Sequence, residues 1–193
     1  MAKVGVLALQ GAFIEHLNAL RRLGAETLPI RLAEQLEGLD ALIIPGGEST
    51  TISKLMVTFR ILEAIQARAQ NGLSIWGTCA GMILMAKEVD DKDLPVMGLM
   101  DVSVKRNAFG RQLDSFEADL SVAVLGEEPF HAVFIRAPAV ERVDDGAEVL
   151  AQLTTGPIVA VRQGRFLATA FHPELTTDLR FHRYFLQEVV GTG

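Results

Sequence analysis

The hydrophobic residues in the first half of the chain cluster in four short, strand-like segments. These segments occupy residues 4–9, 26–30, 39–44 and 73–77, and residues 4–9 are apolar without interruption. A strand that is covered on both faces of a parallel sheet has such a continuous apolar run, whereas a half-exposed strand alternates apolar and polar residues. The segments therefore predict four mostly parallel strands, of which those at residues 4–9 and 73–77 are expected to be buried.

Segments with helical periodicity separate these strands. The first carries its apolar side chains at Ile14, Leu17, Leu20 and Leu23. Two more helices are predicted at residues 49–55 and 61–69, the former capped by Ser49 or Thr50. Alternation of strand and helix with short links predicts an α/β fold, a three-layer sandwich with a mostly parallel central sheet.

The second half of the chain is richer in strands. Strand-like segments lie at residues 101–105, 120–124, 131–135, 149–153, 158–162 and 166–171. Their close spacing predicts extra antiparallel strands added to the sheet, followed by a helix at about residues 177–190. Residues 90–93 are expected to form a solvated, charged turn. Without a linker or a repeat, residues 1–193 are expected to form a single domain.

Composition excludes several classes of function. The net charge of −6 argues against a general nucleic-acid surface or an anionic-membrane surface. The single cysteine cannot form an internal disulfide, which favours a reducing compartment. Residues 4–9 are too short an apolar run for a signal peptide, and no run approaches the roughly 20 residues of a membrane span. A cytoplasmic protein is expected.

The single cysteine lies in the most informative segment of the chain. Gly77-Thr78-Cys79-Ala80-Gly81 joins a predicted buried strand to a predicted buried helix. Strand, Gly-x-nucleophile-x-Gly and helix form a nucleophile elbow, in which the glycines allow a sharp turn. The helix N-terminus then faces the sulfur and stabilises a thiolate. Cys79 is therefore the candidate nucleophile, suited to attack on an amide or thioester-like carbon.

A thiol nucleophile needs a base, and the base needs an orienting group. His172 follows a predicted strand, Pro173 ends that strand, and Glu174 lies two residues beyond the histidine. His172 and Glu174 are therefore the candidate base and orienting carboxylate. The other histidines are not expected to be catalytic; His16 should lie on the surface or face a partner.

The remaining two histidines also have structural interpretations. His131 is expected within a strand and His182 on the last helix. No group of residues has metal-ligand spacing, so neither a metal nor a cofactor is expected.

A tetrahedral intermediate needs an oxyanion hole. The backbone N–H of Ala80, directly after the nucleophile, is the expected first donor. The second is expected from Gly47, in the glycine-rich turn after the strand at residues 39–44.

These motifs resemble class I, triad-type glutamine amidotransferases, and among them the glutaminase subunits of pyridoxal 5'-phosphate synthases. The resemblance spans nearly the whole chain. It is carried by Gln10-Gly11-Ala12-Phe13, Pro45-Gly46-Gly47-Glu48-Ser49, Arg106-Asn107-Ala108-Phe109-Gly110-Arg111-Gln112, Ser115-Phe116-Glu117 and His172-Pro173-Glu174.

The resemblance implies that the chain hydrolyses L-glutamine to glutamate and ammonia. It also implies a partner, a separate barrel-shaped synthase subunit that uses this ammonia to make pyridoxal 5'-phosphate. By position, the implied glutamine-binding residues are Gly47, Glu48, Ser49, Arg106, Ile135 and Arg136. Gln10 and its neighbour Phe13 are implied at the interface between the subunits.

Two other functions remain open from the sequence. A thiol peptidase or a deglycase-like stress protein would keep the elbow cysteine, but it has no need of the Arg106 block. A non-catalytic regulatory subunit would tolerate loss of Cys79, His172 or Glu174, and all three are present. Hydrolysis of free glutamine, compared with hydrolysis of peptides, would discriminate among them.

Overall fold

The structure is a computed structural model that describes residues 2–110 and 114–191. Within these residues the chain forms twelve strands and five α-helices. The strands are β1 (Lys3–Leu7), β2 (Glu26–Ile30), β3 (Ala41–Ile44), β4 (Ser74–Thr78), β5 (Ala86–Val89), β6 (Met100–Lys105), β7 (Ser115–Leu120), β8 (Phe130–Ile135), β9 (Ala139–Val143), β10 (Glu148–Gln152), β11 (Ile158–Gln163) and β12 (Phe166–Thr169). The helices are α1 (Phe13–Arg22), α2 (Ser49–Thr58), α3 (Ile61–Gln70), α4 (Ala80–Met85) and α5 (Arg180–Tyr184), the last continued by a π-helical segment, Phe185–Val190.

The central sheet is the middle layer of a three-layer α/β sandwich. Its strand order is β2-β1-β3-β4-β12-β11-β9-β6-β5, and β10 pairs with β11. The pairs from β2 through β12 are all parallel, while β11 pairs antiparallel with β12, β9 and β10. The predicted fold class is confirmed, including the antiparallel strands contributed by the second half of the chain.

Continuous apolar runs form the middle of the sheet, as expected. Every residue of β3 and β4 is buried. Trp76 on β4 packs against Phe181 and Phe185 from the C-terminal helical region, with ring centroids 6.2 and 5.5 Å apart. Burial of large aromatic side chains is among the strongest contributions to stability, so this contact holds the C-terminal region on the sheet.

The topology brings the carboxyl ends of three parallel strands together. In the parallel pairing of β12 with β4, Thr169 lies opposite Thr78. In the parallel pairing of β3 with β4, Ile44 lies opposite Gly77. Sites in open α/β sheets form beyond such ends. The segments that follow β3, β4 and β12 are the three that carry the Gly-Gly turn, the cysteine and the histidine.

Two local predictions in the first half were wrong. Leu17 and Leu20 of the predicted apolar face of α1 are buried, but Ile14 is 55% exposed, and His16 and Ala19 complete the buried face. The N-cap of α2 is Glu48, not Ser49 or Thr50. Its carboxylate accepts hydrogen bonds from the backbone N–H groups of the first turn of α2, which is the role of a capping side chain.

The second half also differs from the prediction in detail. Residues 120–124 do not form a strand; β7 ends at Leu120, and Ala123–Leu125 is a 3₁₀ turn. Within residues 2–110 and 114–191, strand β8 pairs only with β7, in a separate two-stranded ribbon outside the main sheet. Phe116 and Phe134 stack face to face across this ribbon at 4.5 Å, which gives it an apolar face of its own.

Strands β5, β7 and β9 and the late start of the last helix were not predicted. Residues 86–88, Ala-Lys-Glu, favour a helix by propensity, yet they pair with β6. The last helix begins at Arg180, whose backbone N–H donates to Asp178 Oδ1 at 2.9 Å. That side-chain bond ends the preceding irregular segment and starts the helix.

Within the described ranges, the helices are all too short or too polar to cross a membrane.

Candidate active site

Cys79 occupies a strained turn between β4 and α4. Its backbone has φ 48° and ψ −103°, outside the regions that L-residues prefer. A Cβ on Gly77 would lie 2.4 Å from the backbone of Gly81, and one on Gly81 would lie 2.1 Å from the carbonyl oxygen of Ile44. Both positions therefore require glycine, and the predicted nucleophile elbow is present.

His172 and Glu174 stand beside the elbow. The backbone N–H of His172 donates to the carbonyl oxygen of Val133 at 2.9 Å, and Pro173 opens the 3₁₀ turn Pro173–Leu175. His172 Nδ1 and Glu174 Oε1 are 2.7 Å apart, and both side chains are buried. The two-residue spacing therefore places the carboxylate against the imidazole.

The environment of His172 favours its protonated form. Burial lowers the pKa of this imidazole, but its interactions with the Cys79 sulfur and the Glu174 carboxylate outweigh burial and raise the pKa to about 10. The sulfur of Cys79 also faces the carbonyl oxygen of Ile135 at 3.8 Å. Cys79, His172 and Glu174 thus form a contiguous group.

His16 lies behind this group, and the expectation that it would be a surface residue was wrong. Its side chain is fully buried, with Nδ1 3.0 Å from His182 Nε2 and Nε2 3.3 Å from Thr78 Oγ1. Nε2 also lies 3.3 Å from Glu174 Oε2. The sequence could not reveal this burial, because the residues that cover His16 come from distant parts of the chain.

The two buried histidines are neutral. Burial, reinforced by the neighbouring His182 and His172, holds the pKa of His16 well below its usual 6.5. Burial alone lowers the pKa of His182 to about 4. His131, by contrast, is an exposed residue of β8 between Glu117 and Asp119, whose hydrogen bonds raise its pKa.

The Gly46-Gly47 turn is held from two sides. The Gly46 N–H donates to Thr78 Oγ1 at 3.0 Å, and the Gly46 carbonyl accepts from the Ala12 N–H at 3.1 Å. The Glu48 N–H donates to Gln10 Oε1 at 2.8 Å. A Cβ on Gly46 would lie 2.3 Å from His172 Cε1, so the turn passes directly over the imidazole.

A pocket of about 240 Å³ opens above the cysteine. The structure brings almost all of the predicted site residues to it. The lining residues are Gln10, Gly47, Glu48, Ser49, Cys79, Ala80, Ile83, Arg106, Asn107, Ile135, Arg136 and His172. Glu174 lies behind His172 and does not line the pocket; Phe13 does not line it either. Arg111 and Gln112, at the end of the predicted Arg106 block, fall outside the described residues.

Backbone strain is concentrated around this pocket. Of the described non-glycine residues, those with positive φ are Arg60, Cys79, Asn107 and Arg136, and the last three line the pocket. Residues in such conformations persist only where the surrounding structure holds them, and they cluster at functional sites. Asn107 belongs to the Arg106 block of the resemblance but was not assigned a role in the site, and Ile83 was not singled out from the sequence.

Arg106 is held at the mouth of the pocket by acidic neighbours. Its guanidinium pairs with the Asp91 carboxylate, and its NH2 lies 3.3 Å from Thr50 Oγ1 and 3.9 Å from Glu48 Oε1. Its backbone N–H donates to Asp90 Oδ1 at 3.1 Å. Residues 90–93 are therefore more than the solvated turn that was expected, since they fix a pocket residue.

Gln10 and Phe13 differ in their surroundings. Gln10 reaches the pocket and supports the Gly-Gly turn. Phe13 begins α1, and the guanidinium carbon of Arg31 lies over the Phe13 ring, 5.7 Å from the centre of that ring. Next to Phe13, the exposed Ile14 leaves an apolar side chain in solvent.

No group of three or more His, Cys, Asp or Glu residues that could hold a metal occurs in residues 2–110 and 114–191.

Comparison with known proteins shows the family to which the chain belongs. The SNO glutamine amidotransferase family matches residues 6–191. The chain is 63% identical over 186 residues to the pyridoxal 5'-phosphate synthase subunit PdxT of Herpetosiphon aurantiacus, covering 95% of this chain and 98% of that protein. It is 59% identical over 187 residues to the PdxT subunit of Moorella thermoacetica, covering 97% and 99%.

A solved structure extends the comparison to three dimensions. A crystal structure of a glutamine amidotransferase matches with a TM-score of 0.91 and 54% sequence identity, covering 97% of this chain and 98% of that chain. The chain therefore belongs to the SNO glutamine amidotransferase family.

Proposed function

We propose that this chain hydrolyses L-glutamine to L-glutamate and ammonia, and that it supplies the ammonia to a separate synthase subunit for pyridoxal 5'-phosphate synthesis. The observation that carries the proposal is the Cys79, His172 and Glu174 group at a pocket, in a chain 63% identical to a pyridoxal 5'-phosphate synthase subunit. We further propose one amidotransferase domain over residues 1–193, and a cytoplasmic location, where Cys79 stays reduced.

The reaction begins with the Cys79 thiolate, which the His172 imidazolium stabilises. The sulfur attacks the side-chain amide carbon of glutamine and forms a tetrahedral intermediate. Its oxyanion is stabilised by the N–H groups of Ala80 and Gly47. His172 then donates its proton to the amide nitrogen, the C–N bond breaks, and ammonia leaves a glutamyl thioester. Glu174 orients the imidazole throughout and does not take the proton.

Water completes the cycle. His172, now neutral, accepts a proton from a water molecule as that water attacks the thioester carbon. The second tetrahedral intermediate collapses with cleavage of the C–S bond, which releases glutamate and regenerates the Cys79 thiolate beside the His172 imidazolium. The net reaction is glutamine plus water to glutamate plus ammonia.

The amino-acid end of glutamine is assigned to the pocket wall. Its carboxylate needs a cation or N–H donors and its ammonium needs acceptors. Arg106 supplies the cation. Gly47, Glu48, Ser49, Ile135 and Arg136 complete the substrate site, and all of them line the pocket.

The partner is proposed to be the barrel-shaped synthase subunit of the same enzyme complex. Gln10 and Phe13 belong to the contact surface, because Gln10 supports the Gly-Gly turn and Phe13 begins the adjoining helix. A docked synthase subunit can therefore act on the oxyanion hole through this segment. Coupling glutamine hydrolysis to docking would prevent the loss of ammonia to solvent.

The test is a glutaminase assay with and without the cognate synthase subunit. We expect release of glutamate and ammonia in equal amounts, little from the chain alone and much more with the synthase subunit present. The Cys79→Ser variant, which should fold and bind the partner, is the matched control. If the complex cleaves no free glutamine, or cleaves peptides in preference to it, the proposed function is wrong.

A further inference from the structure

One oxygen of the buried Glu174 carboxylate is not accounted for by the triad. Oε1 faces His172, whereas Oε2 has no partner in good hydrogen-bond geometry among the residues that the structure describes. The side chain of Glu174 has no solvent exposure, so water does not reach it from bulk solvent. A buried charged oxygen without a donor is costly. A group that can carry a hydrogen toward Oε2 is the imidazole of His16, whose Nε2 lies 3.3 Å away.

The surroundings of His16 decide which of its nitrogens carries the hydrogen. If Nδ1 carried it, Nδ1 would donate to His182 Nε2, and the neutral His182 would place its own hydrogen on Nδ1. His182 Nδ1 has no partner, so that arrangement leaves a buried N–H unbonded. It also turns the lone pair of His16 Nε2 toward the Glu174 carboxylate.

The opposite tautomer replaces the buried, unbonded N–H of His182 by an unbonded acceptor and turns a hydrogen of His16 toward the carboxylate. His182 Nε2–H donates to His16 Nδ1, and His16 Nε2–H points between Thr78 Oγ1 and Glu174 Oε2, each 3.3 Å away. His182 Nδ1 is then an acceptor without a donor, and buried acceptors without partners are less rare than buried donors without partners. The lowered pKa of both histidines agrees with two neutral rings.

We infer that His16 is a positioning residue of the active site, which turns Nε2–H toward the second oxygen of Glu174 at 3.3 Å and by this electrostatic contact keeps the carboxylate against His172. The inference rests on the proposed glutaminase function for its kinetic consequence only. His16 touches neither the pocket nor the sulfur, so it acts through Glu174. His16 also contacts Thr78, whose Oγ1 accepts the Gly46 N–H. His16 therefore lies behind both the triad and the Gly-Gly turn.

The kinetic test compares His16→Leu, which removes the N–H, with His16→Gln, whose amide can return an N–H near the position of Nε2. Ser53→Ala is the matched control. Ser53 is equally buried and also loses a hydrogen bond, from its hydroxyl to the Pro95 carbonyl at 2.6 Å, but it lies on α2 away from the triad.

In the complex with the synthase subunit, we expect His16→Leu to lower kcat by about 10- to 100-fold, the usual cost of removing a group that orients an active-site side chain. KM for glutamine should change little, and His16→Gln should recover part of the loss. Ser53→Ala should keep the wild-type kcat. A wild-type kcat in His16→Leu would overturn the inference.

The second measurement is the rate of Cys79 alkylation by iodoacetamide as a function of pH, made on the chain alone. The titratable groups that face His16 are Glu174, His172 and His182. If the carboxylate loosens, His172 loses one of the interactions that raise its pKa, and the imidazolium supports the thiolate less well. The pH of half-maximal alkylation should therefore rise in His16→Leu. An unchanged profile would contradict a positioning role.

A third measurement needs no substitution. In the wild-type chain labelled with ¹⁵N-histidine, the NMR signals of His16 should show a protonated Nε2 and a bare Nδ1. The reverse tautomer would overturn the inference even if the variants fail to fold. The alkylation and NMR results are independent of glutaminase activity. A wild-type complex without that activity would refute the proposed function, while these two measurements still decide the role of His16.

Discussion

Gly46 is the position where the addition of a single methyl group should disable the site. Its φ lies outside the left-handed region, so alanine suits the backbone and the effect is purely steric. The new Cβ would lie 2.3 Å from His172 Cε1, 2.9 Å from Nδ1 and 3.3 Å from Cys79 Cβ, whereas ordinary contact begins at 3.4 Å. Either the imidazole retreats by about 1.1 Å, or the turn lifts away from Ala12 and Thr78.

A displacement of about 1 Å in an active site can lower the rate about 100-fold, which is about 2.7 kcal/mol of transition-state free energy. We therefore expect Gly46→Ala to lower kcat by about this factor in the complex with the synthase subunit. The cost should be larger in kcat than in KM, because the clash falls on the imidazole and not on the wall that holds the amino-acid end.

The assay is steady-state glutamate release, with urea unfolding to confirm that the variant folds. Gly98→Ala is the matched control, because its Cβ meets nothing within 4 Å. Its φ of 62° should cost about 1–2 kcal/mol of stability without changing kcat. A Gly46→Ala variant with wild-type kcat would refute the close approach of the Gly-Gly turn to the imidazole.

Four further predictions concern the same site. Glu174→Gln should lower kcat about 100- to 10,000-fold with little change in KM, and an unchanged kcat would show that another group orients His172. Arg106→Ala should raise KM for glutamine about tenfold or more, since a charge-assisted bond contributes about 1.5–3 kcal/mol; a wild-type KM would move this role to Arg136. Gln10→Ala should reduce the gain in activity on adding the synthase subunit but leave alkylation of Cys79 in the free chain unchanged; a full gain would exclude Gln10 from the coupling. Because the pKa of His172 is raised from 6.5 to about 10, its contribution to the unfolding free energy should be complete below pH 6.5 and disappear as the pH rises to about 10. Urea titrations across this range should show a smaller loss in Glu174→Gln than in the wild type, and equal losses would contradict the assignment.

The sequence predicted the parts of the site whose geometry is local. Gly77 and Gly81 surround the cysteine at the spacing that an elbow requires, and His172, Pro173 and Glu174 form their contact within three residues. Backbone sterics and short side-chain reach decide both arrangements. Neighbouring residues in the sequence therefore contain enough information to predict them.

The parts that were missed depend on contacts between distant residues. His16 looks like a polar residue on an amphipathic helix until His182 and Glu174, more than 150 positions later, close over it. Asp91 has the composition of a solvated turn, and only the tertiary fold brings it to Arg106. Strand β5 follows pairing with β6 against the helix propensity of its residues. In each case tertiary contacts outweigh a local preference.

The position of β12 beside β4 has a consequence during protein synthesis. His172 is made 93 residues after Cys79, which takes roughly 5 to 20 seconds on the ribosome. Until β12 is made, the thiol has no base and one edge of β4 has no partner. A nascent chain is therefore unable to release ammonia, and the open edge of β4 leaves it dependent on chaperones or prone to aggregation. Ribosome-bound chains stalled before residue 166 should react with thiol reagents yet cleave no glutamine.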